Sequence, residues 1–239
     1  MSQRHPLTIW PVALAAGAVL IGACTNTGDT TNTGEATTQS PASPTTDASD
    51  DPIDIMQMAE DAPLEPGTYS VPFLAVDGPA RAIVHVPEGY FGRGPVIGSD
   101  GGDIAFWGTV TKVDTDPCLG GKHIGAGTSV HDLATKLVAL RHMKTSQPVP
   151  VTIGGYHGVH LTLTAPADLD RCRGGNVSIL TGGGTWLQGD VPSGIFHEWI
   201  LNVHGTRVVG GARINPSTAN AAELTHMVES AHFTGVDQL

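Results

Sequence analysis

The sequence has few basic and few aromatic residues. Lys and Arg number 12 in 239 residues against 23 Asp and Glu, and Phe, Trp and Tyr make up 5%. No basic stripe interleaved with aromatic side chains is present, which argues against a nucleic-acid partner. Beyond residue 62 the chain has 11 basic and 15 acidic residues, so that only −4 of the net charge of −11 lies there.

A hydrophobic run long enough to span a bilayer is also absent. The longest uncharged apolar stretch, Ile9–Ala23, has fifteen residues and follows Arg4. As a helix it covers about 22 Å, which is short of the ~30 Å hydrocarbon core. A charged start, a short apolar core and a small-residue exit predict an export signal over residues 1–23. A buried core helix is the weaker interpretation, because a polar segment follows at once.

The end of this run, Leu20–Cys24, resembles the bacterial lipobox, in which an aliphatic residue and two small ones precede a cysteine. The resemblance implies a diacylglyceryl group on Cys24, cleavage before it and a further acyl chain, such as palmitate, on the new amine. Two or three acyl chains at ~0.8 kcal/mol per buried CH₂ give stable anchoring. We therefore expect a lipid anchor at the extracytoplasmic face of the cell membrane. The alternatives for Cys24 are a disulfide partner or a bystander beside an ordinary cleavage site.

Residues 24–62 form a Thr-, Ser-, Asp- and Pro-rich segment with eight acidic residues and no Lys or Arg. Apolar residues are sparse there, so no core offsets the entropy of ordering it, and we expect a disordered tether. Its charge extends the segment and keeps it off an anionic membrane surface. Within it, residues 51–59 suit either a short helix or a docking segment.

Residues 63–239 are long enough for one globular domain, which we predict to be single. The domain contains two cysteines, Cys118 and Cys172. In an oxidising compartment they are expected to form a disulfide. Two separate buried thiols and a metal site are the alternatives; neither cysteine has a second Cys or a His at ligand spacing.

Several segments of the domain have the composition of strands. Residues 80–86 and 103–115 are each predicted as one strand, since β-branched and aromatic residues dominate them. Val149–Leu163 surrounds Gly154-Gly155, which predicts a hairpin. A longer hairpin is expected around His204-Gly205, because a type I′ turn needs positive φ at both central residues.

Two helices are predicted. Ser129 and Asp132 form a capping box, and apolar residues recur at helical spacing beyond it, so that a helix is expected to end before Pro148. A C-terminal helix is predicted with Asn220 as its N-cap. Short turns between the strands predict an α+β fold, mainly an antiparallel β-sheet with two principal helices packed on it.

Segments spread along residues 63–233 resemble a group of actinobacterial cell-envelope lipoproteins. The segments that carry the resemblance are PLEPGTYSVPF, VPEGY, FWGTV with the following DPC, SVHDLATKLVAL, PVTIGGYHGVHLTLTAPADLDRC, EWILNVHGTRVV and AELTHMVESAHF. The element order is also similar to the PsbP-like α/β/α sandwich, which implies an antiparallel sheet between helices. Neither resemblance brings a catalytic motif, and a shared fold does not transfer an activity.

No motif predicts a catalytic residue. The GSDGG segment at 98–102 lacks the spacing of a nucleophile elbow. His197-Glu198 begins like a zincin motif, but Leu201 stands where the second His belongs and the segment is predicted to be a strand. Asp114 and Asp116 lack the glycine and terminal Glu of a calcium loop. The glycine run at 181–186 is interpreted as a flexible hairpin.

Ten histidines follow the signal, and we predict no metal or other cofactor. His157 and His160 lie three apart on a predicted strand, so they point to opposite faces. His131 and His142 are expected on one face of a single helix, about three turns apart, too far for one ion. Three tryptophans are expected in the core rather than in a ligand platform: Trp107, Trp186 and Trp199.

The function expected from these features is a non-enzymatic binding or interaction module of the cell envelope, with an envelope protein or a small molecule as its partner. Two alternatives are an envelope hydrolase of unrecognised type and a carrier of an apolar ligand. A concave pocket that holds two titratable groups within hydrogen-bond reach would favour the enzyme.

Overall fold

A computed structural model describes residues 51–182, 185–218 and 220–238. The predicted signal peptide, Cys24 and the tether up to residue 50 lie outside the described residues. Mainly antiparallel sheet with two α-helices makes up the fold, which confirms the predicted α+β class. Within the described residues, no helix is both long and apolar enough to cross a bilayer.

The described residues form seventeen strands and two α-helices. The strands are β1 (Ile53–Asp54), β2 (Ala62–Pro63), β3 (Gly67–Pro72), β4 (Arg81–Val86), β5 (Phe91–Arg93), β6 (Val96–Ser99), β7 (Gly102–Trp107), β8 (Lys112–Asp114), β9 (His123–Gly125), β10 (Lys144–Thr145), β11 (Val149–Ile153), β12 (Tyr156–Thr164), β13 (Val177–Gly182), β14 (Thr185–Gly189), β15 (Ile195–Val203), β16 (Thr206–Ile214) and β17 (His232–Thr234). The helices are α1 (Val130–Val138) and α2 (Ala221–Glu229); short 3₁₀ turns occupy Ile55–Gln57, Leu169–Arg171, Arg173–Gly175 and Val236–Gln238.

The central sheet has nine strands, in the order β10-β12-β15-β16-β7-β6-β5-β2, with β11 also paired to β12. Side chains alternate between its two faces, and each face has its own core. Trp199 and Leu201 enter the first core, which α2 and the sheet β1-β3-β4-β17 cover. Phe196 and Ile200 enter the second core, which α1 and the sheet β14-β13-β8-β9 cover. Both faces of the central strands are therefore buried.

The long hairpin of β15 and β16 turns at His204-Gly205, as predicted. The φ values are 51° at His204 and 87° at Gly205, which is the positive pair that a type I′ turn requires. Nine residue pairs join the two strands, from Ile195 with Ile214 to Val203 with Thr206. The two strands form the middle of the central sheet and thus the floor of both cores.

The predicted hairpin around Gly154-Gly155 is also present, as β11 and β12. Its two-residue turn makes Ile153 and Tyr156 a hydrogen-bonded pair, and such pairs alternate along an antiparallel ladder. Val149 and Val151 then bond inward to β12, whereas the backbone of Pro150 points to the outer side. Proline is tolerated there because its missing N–H would lie at the sheet edge.

Helix α1 begins with the predicted capping box. The Ser129 hydroxyl accepts the Asp132 backbone N–H at 3.0 Å, and the Asp132 carboxylate accepts the Ser129 N–H at 3.1 Å. The helix ends at Val138, whose carbonyl accepts the hydroxyl of Thr145 on β10 at 3.1 Å. It therefore ends well before Pro148, and the chain after it is irregular although its apolar residues are buried.

Asn220 is the N-cap residue of α2, as predicted, but its side chain makes no capping bond. Its amide donates instead to the Ser99 hydroxyl at 2.8 Å. Helix α2 buries Leu224, Met227 and Val228 against the first core.

Two sequence predictions are corrected. Residues 103–115 form two strands, because β7 belongs to the central sheet and β8 to the flanking sheet, with an irregular segment at 108–111 between them. The ordered domain also begins before residue 63. β1 pairs in parallel with β3, and Ile55 is 1% exposed in the first core, so the last part of the predicted tether is folded.

Candidate ligand site beside the disulfide

Cys118 and Cys172 form the predicted disulfide, which joins positions 54 residues apart. The first cysteine follows β8, and the second lies between two 3₁₀ turns. Both are buried. Cys118 lines two separate clefts, so the disulfide belongs to the wall of each.

The first of these, the polar cleft, has a volume of about 620 Å³. The Asp114 carboxylate lies 2.7 Å from His123 Nδ1 on the neighbouring strand β9. Arg173 and Asn176 also line the cleft. The Ser178 hydroxyl is buried there without a hydrogen-bond partner. Gly120, Gly121 and Gly174 add backbone surface to the wall, and Pro117 and Cys118 are its apolar side chains.

The second, the apolar cleft, has a volume of about 550 Å³. Leu119, Pro166 and Ala167 supply apolar surface, and Leu119 is 53% exposed although it is a large hydrophobic residue. His142 and Arg171 contribute polar groups, together with Asp168, whose carboxylate accepts from Arg171 Nε at 2.7 Å. An apolar wall with a few polar groups is the usual lining of a small-molecule site.

The buried Asp116 carboxylate contacts three residues beside the apolar cleft. It accepts the Leu119 backbone N–H at 3.0 Å and His142 Nδ1 at 2.9 Å, and its other oxygen lies 3.2 Å from the Arg141 guanidinium. Burial raises the pKa of Asp116, but the bonds from Leu119 and His142 and the charge of Arg141 outweigh it and lower the pKa below its usual range. Asp116 is therefore ionised at neutral pH.

The Asp116 carboxylate fixes the tautomer of His142. An ionised carboxylate only accepts hydrogen bonds, so His142 Nδ1 carries the proton that the bond needs. In the neutral ring, Nε2 is then unprotonated. The His142 side chain is 48% exposed and lines the apolar cleft. The pair thus places an oriented base at the wall of a cleft.

The backbone at His142 is left-handed, with φ of 60°. A residue with a side chain rarely adopts this conformation, and it persists only where surrounding contacts hold it. Here the contact to Asp116 and the burial of the neighbouring Leu140 and Met143 hold it. The conformation also corrects the prediction that His142 shares a helix with His131, because α1 ends at Val138.

No known protein family, curated protein or solved structure matches this chain. The lipoprotein group and the PsbP-like sandwich stay predictions. The geometry of the chain itself is the basis for the site. Its lining comprises Cys118, Leu119, His142, Pro166, Ala167, Asp168 and Arg171, and the Asp116 carboxylate behind it orients His142.

The other histidines are placed mostly as expected. His157 and His160 lie on opposite faces of β12: His157 Nδ1 is 3.0 Å from the Thr152 hydroxyl, whereas His160 faces the first core. His160 Nε2 lies 3.1 Å from His197 Nδ1, with ring centroids 5.2 Å apart and planes 15° apart. The two rings therefore lie side by side, joined by one hydrogen bond, next to the Trp199 indole.

This histidine pair is neutral at physiological pH. Burial lowers the pKa of His160, and burial together with the neighbouring His160 lowers the pKa of His197 to about 4. His160 Nε2 and His197 Nδ1 bond to each other, so neither of these two nitrogens is available as a metal ligand. Among the described residues, no three His, Cys, Asp or Glu side chains come together as metal ligands.

Trp107 and Trp199 are buried in the cores, as predicted, whereas the Trp186 side chain lies outside the described residues. The glycine run at 181–186 connects β13 to β14, whose flanking residues Gly182 and Thr185 pair. Residues 183–184 lie outside the described residues.

Sequence reasoning missed Glu198, which lies on β15 in the second core. It is 0% exposed, and neither carboxyl oxygen has a hydrogen-bond partner. Burial alone raises its pKa well above the usual value. Its position between Phe196 and Ile200 in a period-two pattern was the available signal, since both neighbours face the same core.

Proposed function

We propose that the chain is an exported lipoprotein, anchored through Cys24 at the extracytoplasmic face of the membrane, whose domain is a binding module. We further propose that the apolar cleft is its ligand site. The observation that supports this is a cleft of about 550 Å³ that combines apolar walls with an oriented imidazole and a guanidinium. Small-molecule sites have this size and this mixture of groups.

The proposed ligand has an apolar body and a hydrogen-bonding or anionic end. Leu119, Pro166 and Ala167 offer contact surface for the body. For the polar end, His142 Nε2 offers a hydrogen-bond acceptor, and Arg171, whose Nε is paired with Asp168, offers the terminal N–H donors of its guanidinium. Charged and amide side chains make up more of the polar cleft, where Asp114, Arg173 and Asn176 lie, which favours the apolar cleft as the site of an amphipathic ligand.

Titration of the purified protein with hexanoate and with anilinonaphthalene sulfonate, followed by NMR and by fluorescence, tests the binding site. We expect saturable binding that Leu119→Ser weakens about tenfold, since about 1.4 kcal/mol of apolar contact corresponds to that factor. Ile124→Ser is the matched control, because Ile124 is also an exposed apolar residue, at 36%, and does not line the cleft. Equal binding by the two variants, or no saturable binding to wild type, would refute the site.

The anchor is tested separately in the bacterial host. Wild-type protein is expected in the membrane fraction with acyl-chain label, and Cys24→Ser is expected without label, either released or with its signal uncleaved. Mass analysis that finds a free thiol at the wild-type N-terminus would contradict the anchor and leave the cleft hypothesis standing.

A further inference from the structure

We infer that the apolar cleft hydrolyses acyl esters, with His142 as the general base that activates water. The inference rests on the proposed function, since the acyl chain would occupy the same apolar walls. It goes beyond binding because the cleft supplies an oriented base and a positive charge at one site. Two titratable groups in hydrogen-bond contact, one of them lining a concave cleft, are an arrangement expected of an enzyme.

The base is His142 Nε2. Asp116 accepts the Nδ1 proton at 2.9 Å and is itself fixed by the Leu119 N–H and by Arg141. A buried carboxylate in this position orients the ring and stabilises the imidazolium that forms when Nε2 takes a proton. Asp116 is thus a positioning residue, and it acts through His142.

The reaction balances without any co-reactant other than water. The water oxygen bonds to the ester carbonyl carbon while one water proton passes to His142 Nε2, and the carbonyl oxygen becomes negatively charged. Collapse of this intermediate breaks the bond from carbon to the alkoxy oxygen, and His142 returns the proton to the departing alkoxide. The products are a carboxylic acid and an alcohol. The Arg171 guanidinium, which is paired through Nε with Asp168 at the same wall, offers its terminal N–H groups as donors to the oxyanion.

A second Asp–His pair in the same domain allows a matched comparison. Asp114 and His123 in the polar cleft are 2.7 Å apart, and the His123 side chain is 46% exposed against 48% for His142. The two imidazoles are alike in exposure and each lies beside a buried Asp, but only the His142–Asp116 contact has hydrogen-bond geometry. They differ in their clefts, since Leu119, Pro166 and Ala167 line the cleft of His142, whereas Pro117 and Cys118 are the apolar side chains at the cleft of His123.

The test is hydrolysis of p-nitrophenyl hexanoate by the purified full chain. Asn is the replacement of choice at position 142, because Asn tolerates left-handed backbone. We expect His142→Asn to lower kcat/KM about 100-fold, the usual contribution of a general base, and His123→Asn to leave it unchanged. Circular dichroism and thermal melting verify that both variants are folded. The inference would be overturned if His142→Asn and His123→Asn lost kcat/KM equally, or if wild type hydrolysed the ester no faster than His142→Asn.

The split between kcat and KM separates general-base catalysis from a structural role. His142→Asn is expected to lower kcat far more than it changes KM, because the base acts in the reaction step and not in holding the acyl chain. Asp116→Asn is expected to lower kcat more than it changes KM. Hexanoate binding distinguishes failure of the catalytic inference from failure of the ligand site. If wild type and His142→Asn both bind hexanoate but wild type does not hydrolyse the ester, only the catalytic inference is refuted. If wild type does not bind hexanoate, the ligand site is refuted.

Discussion

Replacement of the buried Glu198 is expected to stabilise the protein, and increasingly so as the pH rises. Its strand neighbours are Leu161 on β12 and Gly211 on β16. A Cβ added at Gly211 would lie 3.4 Å from Glu198 Oε2, so the absence of a side chain at Gly211 makes room for the Glu198 carboxyl group. No polar group compensates the carboxyl there. Burying such a group costs about 1–3 kcal/mol on protein scales.

The pH dependence follows from proton linkage. In the unfolded chain Glu198 loses its proton near the ordinary value of 4.5, whereas burial keeps it protonated in the native state. Above that pH the native state therefore binds one more proton than the unfolded state. The free energy of unfolding then falls by about 1.4 kcal/mol per pH unit until the pH reaches the raised native pKa of Glu198. Stability from this group is greatest at low pH and is lost as pH rises.

Urea denaturation of wild type, Glu198→Leu and Glu198→Gln at about pH 5, 6, 7 and 8 measures the effect. Both variants remove the titration, so their stability curves are expected to be flatter than that of wild type by the linkage slope. Leucine also removes the unpartnered polar atoms, and glutamine keeps them, so Leu is expected to be the more stable variant. If all three proteins show parallel pH curves, Glu198 is ionised or hydrogen-bonded in the native state, and the reasoning is refuted.

Three further perturbations test the fold. Arg207→Met is expected to destabilise the protein by about 3 kcal/mol in urea, because the guanidinium donates to four backbone carbonyls within residues 110–129; a loss below about 0.5 kcal/mol would contradict this role. Reduction of Cys118–Cys172 opens a loop of 54 residues and is expected to cost about 4 kcal/mol, measured by denaturation with and without reductant. Pro150→Val restores an outward N–H on the edge strand β11 and is expected to promote self-association through this edge. Sedimentation velocity measures this, and a variant that stays monomeric would contradict the expectation.

The sequence predicted those elements whose signals are local. The type I′ turn at His204-Gly205, the capping box at Ser129 and the Gly154-Gly155 hairpin each depend on residues within a few positions of one another. Such short-range chemistry is fixed before tertiary contacts form, and all three are present. The disulfide was predictable for another reason, since the domain has two cysteines and therefore one possible pairing.

Features that depend on distant parts of the chain were not predictable in the same way. Residues 103–115 read as one strand because β propensity continues through the segment where the chain leaves one sheet for another. Ile53 and Ile55 lie in an acidic polar segment, and only their partners on β3 and β5 show that this segment is folded. Composition averages over a window and so hides Ile55, a single apolar residue that the first core buries.

The Asp116–His142 pair illustrates this limit at the candidate site. The sequence shows Asp116 only as part of an incomplete calcium loop, and His142 only as a residue on one face of a predicted helix. They meet because α1 ends at Val138 and the following chain adopts left-handed backbone at His142, while the disulfide fixes the segment after Asp116. A carboxylate 3% exposed in the side chain has to be partnered, and in this sequence the partner is 26 positions away. The burial of an acidic residue, rather than a motif, is thus the physical reason that this chain has an oriented imidazole at a cleft.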